Sequence, residues 1–335
     1  MNLETARCAL GAYIAADVPA MLWGAPGVGK SDLVASVCAD AGRTLVDERL
    51  STLESLDLRG TPHVVGGNVA WARPTMFARL WAAHEAGEAT ALFLDEINAA
   101  PLSVQAAAFQ LVLNRSVGDQ HLPPGCVVIA AGNRQSDKAA AQRMPSALAN
   151  RFGHIDVEPD ADTWRAWASA AGLSPVVIAF LAFRPALIHD MSGPDARAFP
   201  SPRSWAQVAK VAGAPDTVRP ALVRGLVGEA AAGEFEAFMR IFGRVPSIDS
   251  ILSDPAGRMC PNGCLPGDAA LLFALATGLA HKATAANMAA VWTYARRMPA
   301  EFTVLTMTDA TRRDPSLKST RAFVEYAAAF HGVLS

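Results

Sequence analysis

The chain has 335 residues, 51% of them hydrophobic and 18% charged, with a formal net charge of -2. This balance excludes a disordered chain and gives no global basic field, so a nucleic-acid partner is disfavoured and would need a local patch. The length fits two packed units, and an apolar excess made mostly of alanine favours helices over strands.

The longest apolar run, "AALLFALATGLA" over residues 269–280, falls short of the roughly 20 residues that cross a bilayer. Glu4 and Arg7 stand where a secretory signal would carry a basic start and an apolar middle. Together these features predict a cytoplasmic protein with no membrane insertion. Of the five cysteines, Cys8, Cys38 and Cys126 are isolated in apolar surroundings and read as reduced thiols. Cys260 and Cys264 in "CPNGC" are close together, but the neighbouring sequence offers no further zinc ligands, so a turn is expected there.

Along the chain, the first half alternates short apolar runs with helical patterns, the signature of a parallel sheet covered by helices. Strands are predicted over residues 20–23, 44–50, 90–96, 126–133 and 154–159. A helix over 31–41 places Leu33, Val34, Val37, Cys38 and Ala41 on one face and stops at Gly42. "HVVGGNVAW" over 63–71 reads as a hairpin around Gly66 and Gly67, placed where a doubly wound domain continues its second helix. Asp57 and Arg59 before it read as a solvated loop pair, and Trp71 and Trp81 as packing residues. Asn98 reads as the cap of a helix beginning near Pro101 in preference to a catalytic group. "RSVGDQHL" over 115–122 reads as a second hairpin around Gly118 and Asp119.

Beyond Pro159 the strand signal disappears, and helices are predicted over 162–171, 174–183, 201–211, 217–227, 234–241, 266–282, 285–297 and 319–331. A domain boundary is placed near Pro159, with a further break in the Pro/Gly/Cys-rich stretch 254–267.

Gly24, Gly29, Lys30 and Ser31 satisfy the G-x-x-x-x-G-K-[ST] pattern, directly after a predicted strand and before a predicted helix. In that setting Gly24, Ala25, Pro26, Gly27, Val28, Gly29, Lys30, Ser31 and Asp32 line a phosphate loop. Lys30 addresses the β- and γ-phosphates of ATP, and the Ser31 hydroxyl takes a place on Mg²⁺. The same chemistry needs a carboxylate at the end of a neighbouring strand, and "LFLDE" supplies two. Asp95 would hold the Mg²⁺ shell through water, and Glu96 would polarise the attacking water.

Further along, Ser201 and Pro202 are a good cap and first helical residue, which places Arg203 in a first turn. A cation there is disfavoured by about 0.3 to 1 kcal/mol, so an anion such as a γ-phosphate is expected nearby. A solvated arginine is the alternative.

The stretches "GAPGVGKS", "LFLDEINAAP", "AAGNRQ" and "PSALANRFGHIDV", in this order, resemble an AAA+ ATPase, specifically the MoxR family of the helix-2-insert branch, over about residues 19–211. The resemblance implies an α/β fold, a five-stranded parallel P-loop sheet sandwiched by helices, over residues 1–159, with hairpin inserts near 63–71 and 115–122. An all-α lid over 160–245 would follow, and the helices predicted beyond it make a C-terminal helical extension over 246–335 that the family does not supply. It makes Asn133 the sensor 1 residue, Arg151 an arginine finger reaching a neighbouring subunit, and Arg203 the sensor 2 residue. Without it, Asn133 reads as a turn former and Arg151 as a surface arginine; for Arg143, a place at the subunit boundary and a plain surface role remain equally open.

The family implies ATP hydrolysis to ADP and phosphate in a ring-shaped, hexameric homo-oligomer. That ring would remodel or activate a partner protein complex in the manner of a chaperone, with a von Willebrand factor A domain protein as adaptor. The C-terminal extension departs from compact family members, and "AVWTYARRMPAEF" over 290–302 either docks a partner or packs as an amphipathic helix. A nucleic-acid motor or loader and a nucleotide-gated assembly module are the competing readings. A small-molecule kinase shares the phosphate loop but not Asn133, Arg151 and Arg203 at these positions.

Overall fold

The computed structural model describes residues 1–134, 137, 144, 146–192, 197–242, 247–257 and 269–330. Arg143, Cys260 and Cys264 lie outside the described residues. The chain divides into two compact units, Met1–Glu158 and Pro159–Ser335.

In the first unit the elements run α1 (Leu3–Ala15), β1 (Ala20–Trp23), α2 (Lys30–Asp40), β2 (Arg43–Arg49), α3 (Ser55–Arg59), β3 (Pro62–Val65), β4 (Asn68–Trp71) and α4 (Thr75–Glu85). They continue as β5 (Ala89–Asp95), α5 (Leu102–Asn114), β6 (Ser116–Val117), β7 (Gln120–His121), β8 (Val127–Gly132), α6 (Ser146–Ala149) and β9 (Gly153–Asp156). The five predicted strands form one parallel sheet in the order β2-β5-β8-β1-β9.

The strand order places the site. The connection leaving β1 runs toward β2 on one edge, and the connection leaving β8 runs toward β9 on the other. The two chains therefore diverge at the carboxyl ends of β1 and β8 and open a crevice there, the usual ligand position of open parallel sheets. β5 is buried on both faces, with Leu92 and Leu94 in one apolar layer and Ala91 and Phe93 in the other, which is why its sequence is a continuous apolar run.

The β3–β4 hairpin pairs separately from the main sheet, between the short α3 and α4, so it does interrupt the second crossover. Val64 pairs with Val69 and Pro62 with Trp71, giving one face of the ribbon four apolar side chains. Toward its tip Val64 is 75% and Val69 63% exposed. Trp81 of α4 donates its indole N–H to the carbonyl of His121, 2.9 Å away, and so ties α4 to the β6–β7 hairpin. Asp57 and Arg59 are both exposed, as expected, but they lie on the short α3 rather than in a loop. The Asp57 carboxylate accepts from the Glu54 N–H at 2.8 Å and caps the single turn of α3.

The second unit is helical throughout its described residues: α7 (Ala161–Ala170), α8 (Pro175–Phe183), α9 (Pro202–Val211), α10 (Arg219–Val227), α11 (Glu229–Phe242), α12 (Ile248–Ser253), α13 (Ala269–Lys282), α14 (Met288–Ala295), α15 (Ala300–Arg313) and α16 (Arg321–Ala329). Trp164, Phe180, Trp205, Phe235 and Phe238 anchor one apolar cluster. Leu275, Leu279, Tyr294, Met307 and Tyr326 anchor another. α13 serves both, with Ala270 and Ala274 in the first and Leu272 and Leu275 in the second.

Helices α12 and α15 do not follow from the sequence pattern. α15 is rich in threonine, whose β-branched side chain disfavours helix. Thr306 and Thr311 resolve this by returning their hydroxyls to the carbonyls of Phe302 (2.7 Å) and Met307 (3.0 Å), one turn back, which lets both be buried. Within "AVWTYARRMPAEF", Val291, Trp292, Tyr294 and Ala295 of α14 are buried in the second cluster, so this stretch is a packing helix.

Candidate active site

β1 ends at Trp23 and the chain passes through residues 24–29 into α2, which is capped by Gly29 at φ 101°. That left-handed backbone suits glycine, which has no Cβ to clash. The first-turn N–H groups of α2 have no intrahelical partners and, with the helix dipole, favour an anion at this point. Lys30 folds back over the loop. Its Nζ donates to the carbonyls of Gly24 (2.6 Å) and Ala25 (3.2 Å) and to Oδ1 of Asn133 (3.0 Å). An ammonium held on the loop and on the end of β8 stands where phosphate charge would be met.

Asp95 closes β5 and is buried. Its Oδ2 accepts from the Ser31 hydroxyl at 2.9 Å and its Oδ1 from the Glu96 N–H at 2.8 Å. Glu96 itself has φ 56°, a left-handed conformation that costs a non-glycine residue about 1 kcal/mol or more. The turn aims its carboxylate toward β2. Oε2 accepts from the Ser51 hydroxyl, and Arg49 Nε stands 3.8 Å from Oε1. Neither Ser51 nor Arg49 belongs to a sequence motif. Only the pairing of β2 with β5, which sets Arg49 opposite Asp95, brings them in. The same end of the sheet holds Asp47, whose carboxyl is raised from its ordinary value by partial desolvation, with the Asp95 charge reinforcing the shift and Arg49 and Arg79 opposing it.

Asn98 does not cap α5, whose N-cap residue is Pro101 and receives no side-chain hydrogen bond. Asn98 is buried, and its carboxamide is bonded to the main chain of Asn133. Arg134, next to Asn133, is bound to Asp156 (3.1 Å) and Glu158 (2.7 Å) and fastens the end of β8 to the segment leaving β9.

The fold therefore brings Lys30, Ser31, Asp95, Glu96 and Asn133 to one end of the sheet, and it adds Ser51, Arg49 and Asn98. Arg151 lies after α6, is exposed, and its side chain makes no hydrogen bond or ion pair among the described residues. Arg203 belongs to the second unit. It is exposed on the first turn of α9, beside a capping box in which Ser201 accepts from the Ser204 N–H at 3.1 Å, and its side chain likewise makes no such contact among the described residues.

Residues 20–158 match the family model described as "ATPase family associated with various cellular activities (AAA)". This match covers nearly all of the first unit. The whole five-stranded sheet and the segment between β1 and α2 lie within the matched residues.

Among solved structures, the chain is similar to a protein from Cytophaga hutchinsonii assigned as an ATPase, with 14% identity over 69% of this chain and 87% of that one, at a TM-score of 0.36. It is also similar to a point mutant of Thermotoga maritima RuvB, with 14% identity over 75% of this chain and 81% of that one, at a TM-score of 0.40. These distant likenesses assign no activity. Among the described residues, no helix is long and apolar enough to cross a membrane.

For an AAA domain, nucleotide is the expected ligand, together with Mg²⁺. The donors present fit that metal. Ser31 and Asp95 offer hard oxygens side by side, and Mg²⁺ takes few protein ligands when phosphate oxygens and water complete its shell. Among the described residues there is no cluster of three or more His, Cys, Asp or Glu side chains suited to an all-protein metal cage.

Proposed function

We propose that the protein is a MoxR-type AAA+ ATPase that hydrolyses ATP within a hexameric homo-oligomeric ring in the cytoplasm. The cycle remodels or activates a partner protein complex, with a von Willebrand factor A domain protein as adaptor. The observation that carries the catalytic part is the convergence of Lys30, Ser31, Asp95, Glu96 and Asn133 at the carboxyl ends of β1, β5 and β8.

In this reading the loop Gly24 to Asp32 cradles the phosphates, and Lys30 transfers from its carbonyl partners to the β- and γ-phosphates. Ser31 and Asp95 hold Mg²⁺, which supplies charge neutralisation on the transferring phosphoryl group when bound. Glu96 orients and deprotonates water, and Asn133 helps place that water. Arg151 stabilises transition-state charge in the neighbouring subunit's site, a role supported by its exposed position. Arg203 responds to bound nucleotide as the sensor of the helical unit. The apolar β3–β4 ribbon, with Val64 and Val69 exposed, offers a surface that a protein client would meet.

The test is capture. Full-length protein carrying Glu96→Gln, held with ATP, should retain a protein client together with a von Willebrand-type adaptor. ATPase activity stimulated by DNA or RNA, with affinity falling steeply with salt, would replace this reading with a nucleic-acid motor. Full cellular function of Glu96→Gln would replace it with a nucleotide-gated assembly module.

A further inference from the structure

The geometry points to Asn98 as a positioning residue that fixes Asn133 for ATP hydrolysis. The inference rests on the reading of Asn133 as the residue that places the attacking water. β5 and β8 pair as parallel strands as far as Leu94 and Ala130, and the Ile97 N–H donates once more to the carbonyl of Ala131 at 3.0 Å. At Glu96 the left-handed turn takes the chain off this course, and the Ala99 N–H closes it on the carbonyl of Glu96 at 2.9 Å. The main chain of Asn133, one residue beyond the end of β8, is then left without a strand to pair with.

Asn98 supplies the missing peptide group from its side chain. Its Nδ2 donates to the carbonyl of Asn133 at 2.7 Å and its Oδ1 accepts from the Asn133 N–H at 3.2 Å. A carboxamide carries an N–H donor and a carbonyl acceptor side by side on one planar edge, so it meets the C=O and N–H of a single residue together where the strand has ended. The fit is close, because a Cβ on Gly132 would lie 2.5 Å from Asn98 Oδ1.

Asn98 is 3% exposed, so loss of its side chain would leave the Asn133 N–H and C=O with no replacement donor or acceptor from the described residues. With its main chain clamped, Asn133 holds its own carboxamide on Lys30 at 3.0 Å. The tight turn that carries Glu96 thereby also sets the position of Asn133, so the base and the water-placing residue are aligned by one loop.

A double-mutant cycle on the full-length protein tests this, with steady-state ATPase rates and binding of a non-hydrolysable ATP analogue measured for Asn98→Ala, Asn133→Ala and the double variant. Asn98→Ala, which removes both hydrogen bonds to the Asn133 main chain, should lower kcat about tenfold, with analogue affinity changed less than about twofold. In the Asn133→Ala background the same substitution should cost nothing further. A wild-type rate for Asn98→Ala, or losses that multiply in the double variant, would overturn the proposal.

Wild-type turnover by Asn133→Ala would instead remove the underlying reading of Asn133, and the proposal with it. Asn98→Ser guards against a folding defect, since its short neutral side chain puts no charge into the buried site and cannot span to both main-chain groups of Asn133. It should unfold cooperatively, bind the analogue and still lose kcat; unchanged kcat in a folded Asn98→Ser protein would also count against the inference.

Discussion

The Ser51 hydroxyl donates to the Glu96 carboxylate, so the proposed base is held toward β2 by a residue that follows the strand beside its own. Arg49, 3.8 Å from the other carboxylate oxygen, adds a favourable charge to the same position. A carboxylate so engaged has less freedom to accept a proton from water, and this hold must loosen for hydrolysis. Ser51→Ala is therefore expected to raise basal ATP turnover several-fold, read by phosphate release. A fall in turnover would show that Ser51 supports the base in catalysis.

The Lys30 ammonium is held on the carbonyls of Gly24 and Ala25 and on Asn133, contacts of the loop and the strand end rather than of the core. Lys30→Ala should leave the fold intact while removing charge-assisted bonds to phosphate. Nucleotide affinity should fall about 10- to 100-fold, measured by calorimetry with Mg²⁺ and a non-hydrolysable analogue. The rise in melting temperature that saturating nucleotide gives the wild type should shrink accordingly.

In the second unit, Arg165 of α7 and Asp309 of α15 form a buried ion pair at 2.5 Å, with side-chain exposures of 7% and 14%. Removing Asp309 leaves the buried Arg165 guanidinium with only the exposed Asp162, 2.8 Å away, so Asp309→Ala is expected to lower stability by about 1 to 3 kcal/mol. Replacing both residues by apolar side chains of similar size should cost much less, and chemical denaturation of the three proteins compares them.

The pH dependence of that pair has a definite sign. Burial raises the Asp309 carboxyl above its ordinary value, with Arg165 and Arg312 pulling it down and Asp162 adding to the rise. A raised pKa in the fold means that the protonated form is favoured there. The associated stability is full below the ordinary carboxylate pKa and is lost as pH rises through the raised one. Wild-type stability should slope downward across that window, and the slope should be absent in Asp309→Asn.

Much of the first unit is legible in the sequence, because a buried parallel strand leaves a continuous apolar run and a phosphate loop has fixed spacing. "TALFLDE" and "GAPGVGKS" are read this way, and the strands and loop lie within a few residues of the expected bounds. What is illegible depends on contacts between distant segments. Ser51 reaches Glu96 only through strand pairing, and Asn98 reaches Asn133 only because the turn at Glu96 leaves a main-chain group unpaired. α15 is hidden for a different reason, since threonines that bond back to their own helix violate the propensity on which the pattern depends.

In the proposed ring each nucleotide site is completed by a neighbour's Arg151, and mixing two kinds of variant subunit tests this. Arg151→Ala keeps a sound site but lends no guanidinium, and Glu96→Gln lends its guanidinium but cannot activate water. Each alone should be nearly inactive, and ATPase activity should reappear on mixing, greatest near equal proportions. An Arg151→Ala protein with the wild-type rate, or a mixture no more active than its two components apart, would contradict the account.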